Sequence, residues 1–187
     1  MEDAKVGLQA ALRALRDVGA PAIDPDNAQA REQLRLSMDY LAFVVERIDH
    51  VHERALVDVR HLLGVATDLR ARLSARDSAA TATLSAAIDG AEDILPSTWA
   101  SVAMLRGAGD ALARAVTDVV HAAAQYDPAL RREVERCILH ASQPGIRFER
   151  AWYGPLGLDP DTHHAPGLEQ QLRDVLPPPV PPRGENP

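Results

Sequence analysis

The sequence predicts an all-α protein, a helical bundle built on a long antiparallel hairpin, and three observations lead to this fold class. Aromatic residues make up only 4% of the 187 residues, whereas strands favour aromatic and β-branched residues. Apolar residues recur at steps of three and four from 34 to 73, which is the spacing of an amphipathic helix. Glycine and proline are confined to a few short stretches, so long helices fit between them.

The first two helices are marked by their stop and start signals. The first is predicted over residues 3–18, where Gly19 ends it. The second is predicted over about 27–73, after a start signal at Asp24 and Pro25. Further apolar residues flank its seam, so this helix should contact more than one neighbour. The seam consists of Leu34, Met38, Leu41, Val45, Ile48, His52, Ala55, Val59, Leu62, Ala66, Leu69 and Leu73.

The return arm of the hairpin is predicted over residues 78–95 and 97–126. Together these match the length of the second helix, so we expect them to lie along it with a kink at Pro96. A fifth helix over 127–140 then joins the first helix at one end and completes a four-helix bundle there. The opposite end of the hairpin has only two helices in this prediction.

The remainder of the chain is predicted to be irregular, apart from a short helix over about 167–176. Phe148, Trp152 and Tyr153 should pin an ordered segment on the bundle, since large apolar rings are usually buried. We therefore expect one helical domain over residues 1–176. The proline-rich residues 177–187 are predicted to form a disordered, solvated tail.

Charge and composition exclude several functional classes. The chain has 20 Lys and Arg against 27 Asp and Glu, a net charge of −7, which disfavours binding to nucleic acid or to anionic membranes. One cysteine excludes an intramolecular disulfide, and no apolar run is long enough for a membrane helix. The acidic N-terminus is unlike a secretory signal. We expect a cytoplasmic protein, and the bias towards arginine and alanine suggests a bacterial one.

The two-helix end of the predicted hairpin suggests self-association. Two helices bury too little surface to cover so wide an apolar stripe, so a second copy of the chain is expected to cover it. The sequence thus predicts a homodimer. Its candidate interface residues are Leu56, Leu62, Leu63, Leu69, Leu84 and Ile88.

His52 occupies a seam position where an aliphatic side chain is expected. In the predicted hairpin register it lies opposite Trp99, so we expect both residues in the core, with His52 bonded to the carbonyl that Pro96 leaves free on Glu92. A buried histidine can also select the register of an oligomer. A role as a ligand-binding residue is the third alternative.

Three groups of potential metal ligands have weaker patterns. The first, Glu46, Asp49, His50 and Glu53, lacks the Glu-x-x-His spacing of di-metal bundles and is predicted to be a solvated face. Two other groups lack a full ligand set or a flanking ligand pair, so no metal site is predicted at either. These are Glu133 with Cys137 and His140 on the fifth helix, and Asp159 with Asp161, His163 and His164 in a loop.

The function predicted from these features is a non-enzymatic protein–protein interaction module, a dimeric adaptor or scaffold. Its expected partners are a second copy of the chain and another protein, without catalytic residues or a cofactor. The alternative is a helical-bundle enzyme or sensor that binds a metal or a small ligand, through His52 with Trp99 or through the Glu133 group. No motif in the chain is specific enough to name a family.

Overall fold

The structure, a computed structural model, describes residues 2–73, 78–159 and 167–176. All regular elements in these residues are helical, which confirms the predicted all-α class. The chain divides into two compact units. Unit 1 comprises residues 1–51 and 152–164, and unit 2 comprises residues 52–151 and 165–187. The predicted tail lies outside the described residues, and the single domain over 1–176 stays a prediction.

Unit 1 contains the N-terminal helices. Helix α1 (Glu2–Ala14) continues into a π-helical turn (Leu15–Gly19) and a short α2 (Ala20–Ala22). Helix α3 (Ala28–Arg47) follows and packs against α1. The side-chain oxygen of Asn27 accepts the N–H of Ala30 at 3.0 Å and so caps α3. Asp24 instead shapes the preceding turn by accepting the N–H of Asp26.

An aromatic cluster around the buried residues Phe43 and Trp152 lies in unit 1. The ring of Phe43 lies edge-on to Trp152 at 6.5 Å and stacks on Tyr153 at 5.7 Å. The Arg47 guanidinium carbon lies 5.8 Å from the ring centre of Phe43 and 5.7 Å from that of Trp152. Its Nε also donates to the backbone oxygen of Trp152 at 3.0 Å. Arg47 therefore fixes the segment around Trp152 on α3.

The predicted second helix forms as two α-helices joined by a single turn. A 3-10 turn (Ile48–His50) leads from α3 directly into α4 (Val51–Leu73), so the helical path runs from Ala28 to Leu73. The division between the units falls just after this turn.

The described residues of unit 2 form α4 and five further helices. Ser78 caps α5 through a capping box with Thr81, Ser101 caps α6, and Asp127 caps α7, because each side-chain oxygen accepts a backbone N–H of the first turn. The last two residues of α8 belong to unit 1. The helices are α5 (Ala79–Ile94), α6 (Val102–Ala123), α7 (Pro128–Ala141), α8 (Gln143–Tyr153) and α9 (Leu168–Val175).

The return arm differs from the prediction. Helices α5 and α6 pack against each other, joined by a turn at residues 95–101, instead of following one axis with a kink at Pro96. Helix α6 runs in the same direction as α4. His52 lies beside Ala100, and Gly109 lies farther along beside Val59. Helix α5 thus ends just before Pro96. The chain then turns for several residues, and α6 starts after Ser101.

The main core of unit 2 collects side chains from four helices. Its residues come from α4, α5, α6 and α7, so the wide seam of α4 is covered within one chain. This corrects the expectation of a two-helix end. Leu69, Leu84 and Ile88 of the candidate interface are fully buried in this core. The remaining three are partly buried and pack against it: Leu56, Leu62 and Leu63.

His52 and Trp99 are both exposed, which corrects their expected place in the core. Trp99 lies in the turn between α5 and α6 with 76% of its surface exposed. The Nε2 of His52 is 3.0 Å from the backbone oxygen of Ala100 instead of that of Glu92. The histidine therefore meets a carbonyl of the turn, at the surface. No helix within the described ranges is long and apolar enough to cross a bilayer.

Candidate functional site

A groove of about 540 Å³ runs along α4 in unit 2. Its floor follows α4 from Ala55 to Val65, and its walls are α6 on one side and the end of α7 with α8 on the other. Most of the floor is apolar, because α4 presents its seam residues here. The apolar lining consists mainly of Ala55, Val59, Leu62, Val65, Leu105 and Ile146.

Small residues on both walls keep the groove open. Helix α6 contributes Gly109 and Ala113, and the opposite wall contributes Ala141, Ser142 and Gly145. Larger side chains at these positions would extend over the floor and fill the space. The groove is thus a direct consequence of where the sequence places glycine, alanine and serine.

Two of the wall glycines, Gly109 and Gly145, lie close to side chains of α4. A methyl group added at Gly109 would lie 3.8 Å from the side chains of Val59 and Leu62. One added at Gly145 would lie 3.7 Å from Nδ1 of His61. These are ordinary contact distances, so the walls leave room for about one more carbon at each point.

Charged side chains link α4 to α8 along this groove. Arg54 donates from one terminal nitrogen to Oε1 of Glu149 at 2.5 Å, and its Nε lies 3.4 Å from Oδ2 of Asp58. Arg54 is largely shielded, while both carboxylates are only partly exposed. One guanidinium therefore serves two carboxylates on facing helices, and both of these carboxylates line the groove.

Burial raises the pKa of both carboxylates. Loss of solvent raises the pKa of Asp58 above its ordinary value, against the opposing charges of Arg54, His61 and Arg106. Burial likewise raises the pKa of Glu149, with Arg54 lowering it and Asp58 adding repulsion. The protein thus holds two carboxylates in a place that disfavours their charged forms.

His61 sits between the groove and the core of unit 2. Its ring meets Phe148 edge to face at 6.1 Å, and Phe148 is fully buried. Burial lowers the pKa of His61, and nearby Asp58 only partly opposes this. The environment of the ring therefore favours its neutral form.

The Glu133 group lies in a small hollow between α4 and α7. Cys137 is buried, and burial raises the pKa of its thiol, with Arg72 opposing this effect. Arg72 Nε lies 4.0 Å from Oε1 of Glu133, and His140 lines the same hollow. A protonated, buried thiol is a poor nucleophile and a poor metal ligand.

The remaining sequence candidates are not gathered into a site by the described part of the chain. Glu46 and Asp49 are exposed, and Asp49 pairs with Lys5. Asp159 is described, whereas residues 161, 163 and 164 of its predicted group lie outside the described residues. Among the residues that the structure describes, no three His, Cys, Asp or Glu side chains are placed to hold a metal ion.

Sequence reasoning did not identify the groove. The pairing of Arg54 with Asp58 is visible as an i, i+4 pair on a helix, but Glu149 joins them from a distant part of the chain. The available signal was Gly109, a glycine at a seam position of α6. A residue without a side chain inside an apolar stripe indicates either a close approach of two helices or a space between them.

Comparison with known proteins finds no matching protein family, no similar curated protein and no similar solved structure. The class of the molecule is therefore defined by its fold and its groove, as an all-α bundle with an open, mostly apolar groove in unit 2.

Proposed function

We propose that unit 2 binds a small organic ligand with an apolar body in the groove between α4, α6 and α8. This belongs to the class of ligand-binding sensors or carriers. The observation that carries the proposal is the groove itself. Its volume of about 540 Å³ falls in the usual range of about 300–1,000 Å³ for sites that bind small molecules.

The lining supports a binding role. Leu62 remains partly exposed over the floor although it packs against the core. Ile146 on the facing wall is 58% exposed. A ligand with an apolar body would cover both side chains, and each square ångström of apolar surface removed from water contributes about 25 cal/mol. A few polar groups beside an apolar floor are the usual composition of such sites.

The test is to fill the groove without disturbing the fold. Ala113 lines the groove on α6 and is partly exposed, so Ala113→Leu should place a larger side chain over the floor. Ala103→Leu, on an exposed position of the same helix outside the groove, is the matched control. The probe is the neutral fluorophore naphthylmethanol, whose emission reports transfer out of water.

We expect wild type and Ala103→Leu to bind the probe alike, and Ala113→Leu to bind about tenfold more weakly at an unchanged melting temperature. No binding to wild type, or equal binding by all three proteins, would contradict the proposal.

A second candidate function is the interaction module predicted from the sequence, and a surface of unit 1 favours it. Tyr40 is 58% exposed and Leu36 is 46% exposed, one turn apart on α3. Tyr153 stacks on Phe43 beside Tyr40 and is also exposed. This apolar patch is available to a second copy of the chain or to another protein.

Light scattering of wild type, Tyr40→Asp and Val18→Asp tests this second candidate. Val18 is also exposed in unit 1, at 69% against 58% for Tyr40, but lies in the π-helical turn. A dimer that is lost only in Tyr40→Asp would support it. If the wild-type protein is a monomer in this measurement, the homodimer prediction is wrong.

A further inference from the structure

We infer that the groove of unit 2 holds a neutral ligand that carries a hydroxyl group, and that His61 recognises this hydroxyl group through a hydrogen bond. This inference rests on the proposed function and deepens it by naming the polar group of the ligand and the residue that selects it. The ligand class is an apolar alcohol or phenol.

The charges of the groove are balanced, which favours a neutral ligand. Among the described residues, three carboxylates and two guanidiniums line the groove. A third guanidinium, that of Arg54, binds two of these carboxylates, those of Asp58 and Glu149. The other charged residues of the lining are Arg106, Asp110 and Arg150, all with exposed side chains. A charged group on a ligand would therefore meet no surplus of the opposite charge.

His61 presents a ring nitrogen to the α8 wall of the groove. A methyl group added at Gly145 would lie 3.7 Å from Nδ1 of His61, so the missing side chain of Gly145 leaves room beside this nitrogen. The ring itself is held by its edge-to-face contact with Phe148, which is fully buried. His61 is thus a positioned hydrogen-bonding group next to open space in the groove.

The hydrogen bonds of the lining leave His61 available. No hydrogen bond to either of its ring nitrogens comes from the residues that the structure describes, although the side chain is only partly exposed. Asp58 and Glu149, in contrast, are already paired with Arg54. A ligand in the groove displaces water from the imidazole, and a polar group that loses water without gaining a partner weakens binding. The ligand should therefore bring a partner for His61.

A hydroxyl group is the neutral partner that fits best. A neutral imidazole has one N–H donor and one acceptor nitrogen, and the environment of His61 favours the neutral form. Because a hydroxyl group both donates and accepts, it satisfies Nδ1 in either tautomer, whereas an ether or a ketone only accepts. Ser142 lies one turn from Gly145 on the same wall and offers a second partner for the same hydroxyl group.

The experiment compares two neutral probes of nearly the same shape. Naphthylmethanol carries a hydroxyl group where ethylnaphthalene carries a methyl group. Binding of each probe to the full chain is followed by its fluorescence, and the ratio of the two affinities is compared between proteins. His61→Phe keeps a ring against Phe148 and removes both nitrogens, so it should weaken naphthylmethanol about fivefold relative to ethylnaphthalene.

Further variants and one direct measurement complete the test. His61→Leu should change the ratio in the same way, and it serves if His61→Phe does not fold. The matched control is His121→Phe, at an exposed position of α6 outside the groove, which should leave the ratio unchanged. Ser142→Ala should lower the ratio less than the His61 variants do. In wild type, the imidazole nitrogen resonances of His61 should shift more with naphthylmethanol than with ethylnaphthalene.

The outcomes separate this inference from the proposed function. If both probes bind to wild type and the His61 variants leave the ratio unchanged, the groove binds ligands but the assignment to His61 is wrong. A larger change in Ser142→Ala than in His61→Phe, or equal resonance shifts with the two probes, would also overturn it. If neither probe binds to wild type, both the proposed function and this inference fail.

Discussion

The two ends of α4 within unit 2 have the same heptad pattern of apolar residues but differ in how completely those residues are buried. At the closed end, residues 66–73, Leu69 and Leu73 are completely buried in the core. At the groove end, residues 55–65, the floor residue Leu62 remains partly exposed beneath an open space. The difference lies in the neighbouring helices and not in α4 itself.

The neighbours differ in side-chain size. Around the closed end the core is completed by large residues of α5 and α7, including Leu84, Ile88 and Val134. Around the groove end, α6 and α8 present Gly109 and Gly145. An apolar stripe therefore indicates only that a helix face packs against other helices. The size of the residues on those helices decides whether the packing forms a tight core or leaves a groove.

The largest effect should come from truncating the closed end. Leu69→Ala is expected to reduce the free energy of unfolding by about 2 to 5 kcal/mol, because it removes a fully buried side chain and leaves a cavity. Leu62→Ala at the groove end should cost less than about 2 kcal/mol, since that side chain is already partly exposed. Denaturant unfolding of both variants measures this. Equal losses would contradict the distinction between the two ends.

A smaller effect is expected at the shared guanidinium. Arg54→Met keeps most of the side-chain volume and should cost about 1 to 2 kcal/mol at neutral pH, between the values for exposed and buried ion pairs. The loss should shrink as the pH falls below neutral, because burial raises the pKa of Asp58 and of Glu149 and their protonation relieves the repulsion between them.

The matched control for Arg54→Met is Arg131→Met, which breaks the exposed pair with Glu135 on α7. That substitution should cost less than about 0.5 kcal/mol. Similar losses for the two arginines would mean that Arg54 does not hold a partly buried charge network.

A glycine substitution in the groove wall should be stabilising, and it tests the distance between α4 and α6. Gly109→Ala is expected to raise stability by about 1 kcal/mol, because alanine is the better helix former and its methyl group meets Val59 and Leu62 at ordinary contact distance. Gly107→Ala, where an added methyl group meets open space on the same helix, should give a similar gain. Destabilisation at Gly109 alone would show that α4 and α6 lie closer together than described.

The pH dependence of stability tests the environment of His61. Burial lowers its pKa, so below about pH 6.5 the unfolded chain takes up a proton that the folded chain resists, and stability falls as pH decreases through this range. His61→Gln should remove this loss. His121→Gln, at an exposed position of α6, should retain it. The raised pKa values of Asp58 and Glu149 act in the opposite direction at lower pH, since their protonation favours the folded state.

The smallest effect is expected at Trp99. Because most of its surface is exposed in the turn before α6, Trp99→Ala should change the free energy of unfolding by no more than about 0.5 kcal/mol. Truncation in the turn should therefore cost less stability than truncation at either end of α4. A loss of several kcal/mol would place the ring in a core and overturn the described turn.

Local signals predicted most of the helices. The predicted starts at residues 78 and 127 coincide with Ser78 and Asp127, which cap α5 and α7 in the structure, because capping depends only on residues a few positions apart. The path of the chain at Pro96 could not be predicted from such local signals. A proline disfavours a continuous helix, but only tertiary packing decides between a kink and a reversal of the chain.

The groove depended on information that no single segment carries. Arg54 and Asp58 are one turn apart and predictable as a pair, whereas the contact with Glu149 requires α8 to lie against α4. The surroundings of the candidate interface residues depended on the same kind of information. Burial of Leu84 and Ile88 within one chain follows from four helices meeting in unit 2, which heptad spacing along one helix does not specify.

The rate at which the thiol of Cys137 reacts with a labelling reagent reports on opening motions of unit 2. It is only 4% exposed, in the core beside the closed end of α4, and burial raises its pKa. Because reagents attack the exposed thiolate, its rate of labelling measures how often this part of the bundle opens. A ligand in the groove will slow that labelling only if the two ends of α4 open together, as one cooperative unit. The single cysteine therefore distinguishes a bundle that unfolds in one step from one in which the groove opens by itself.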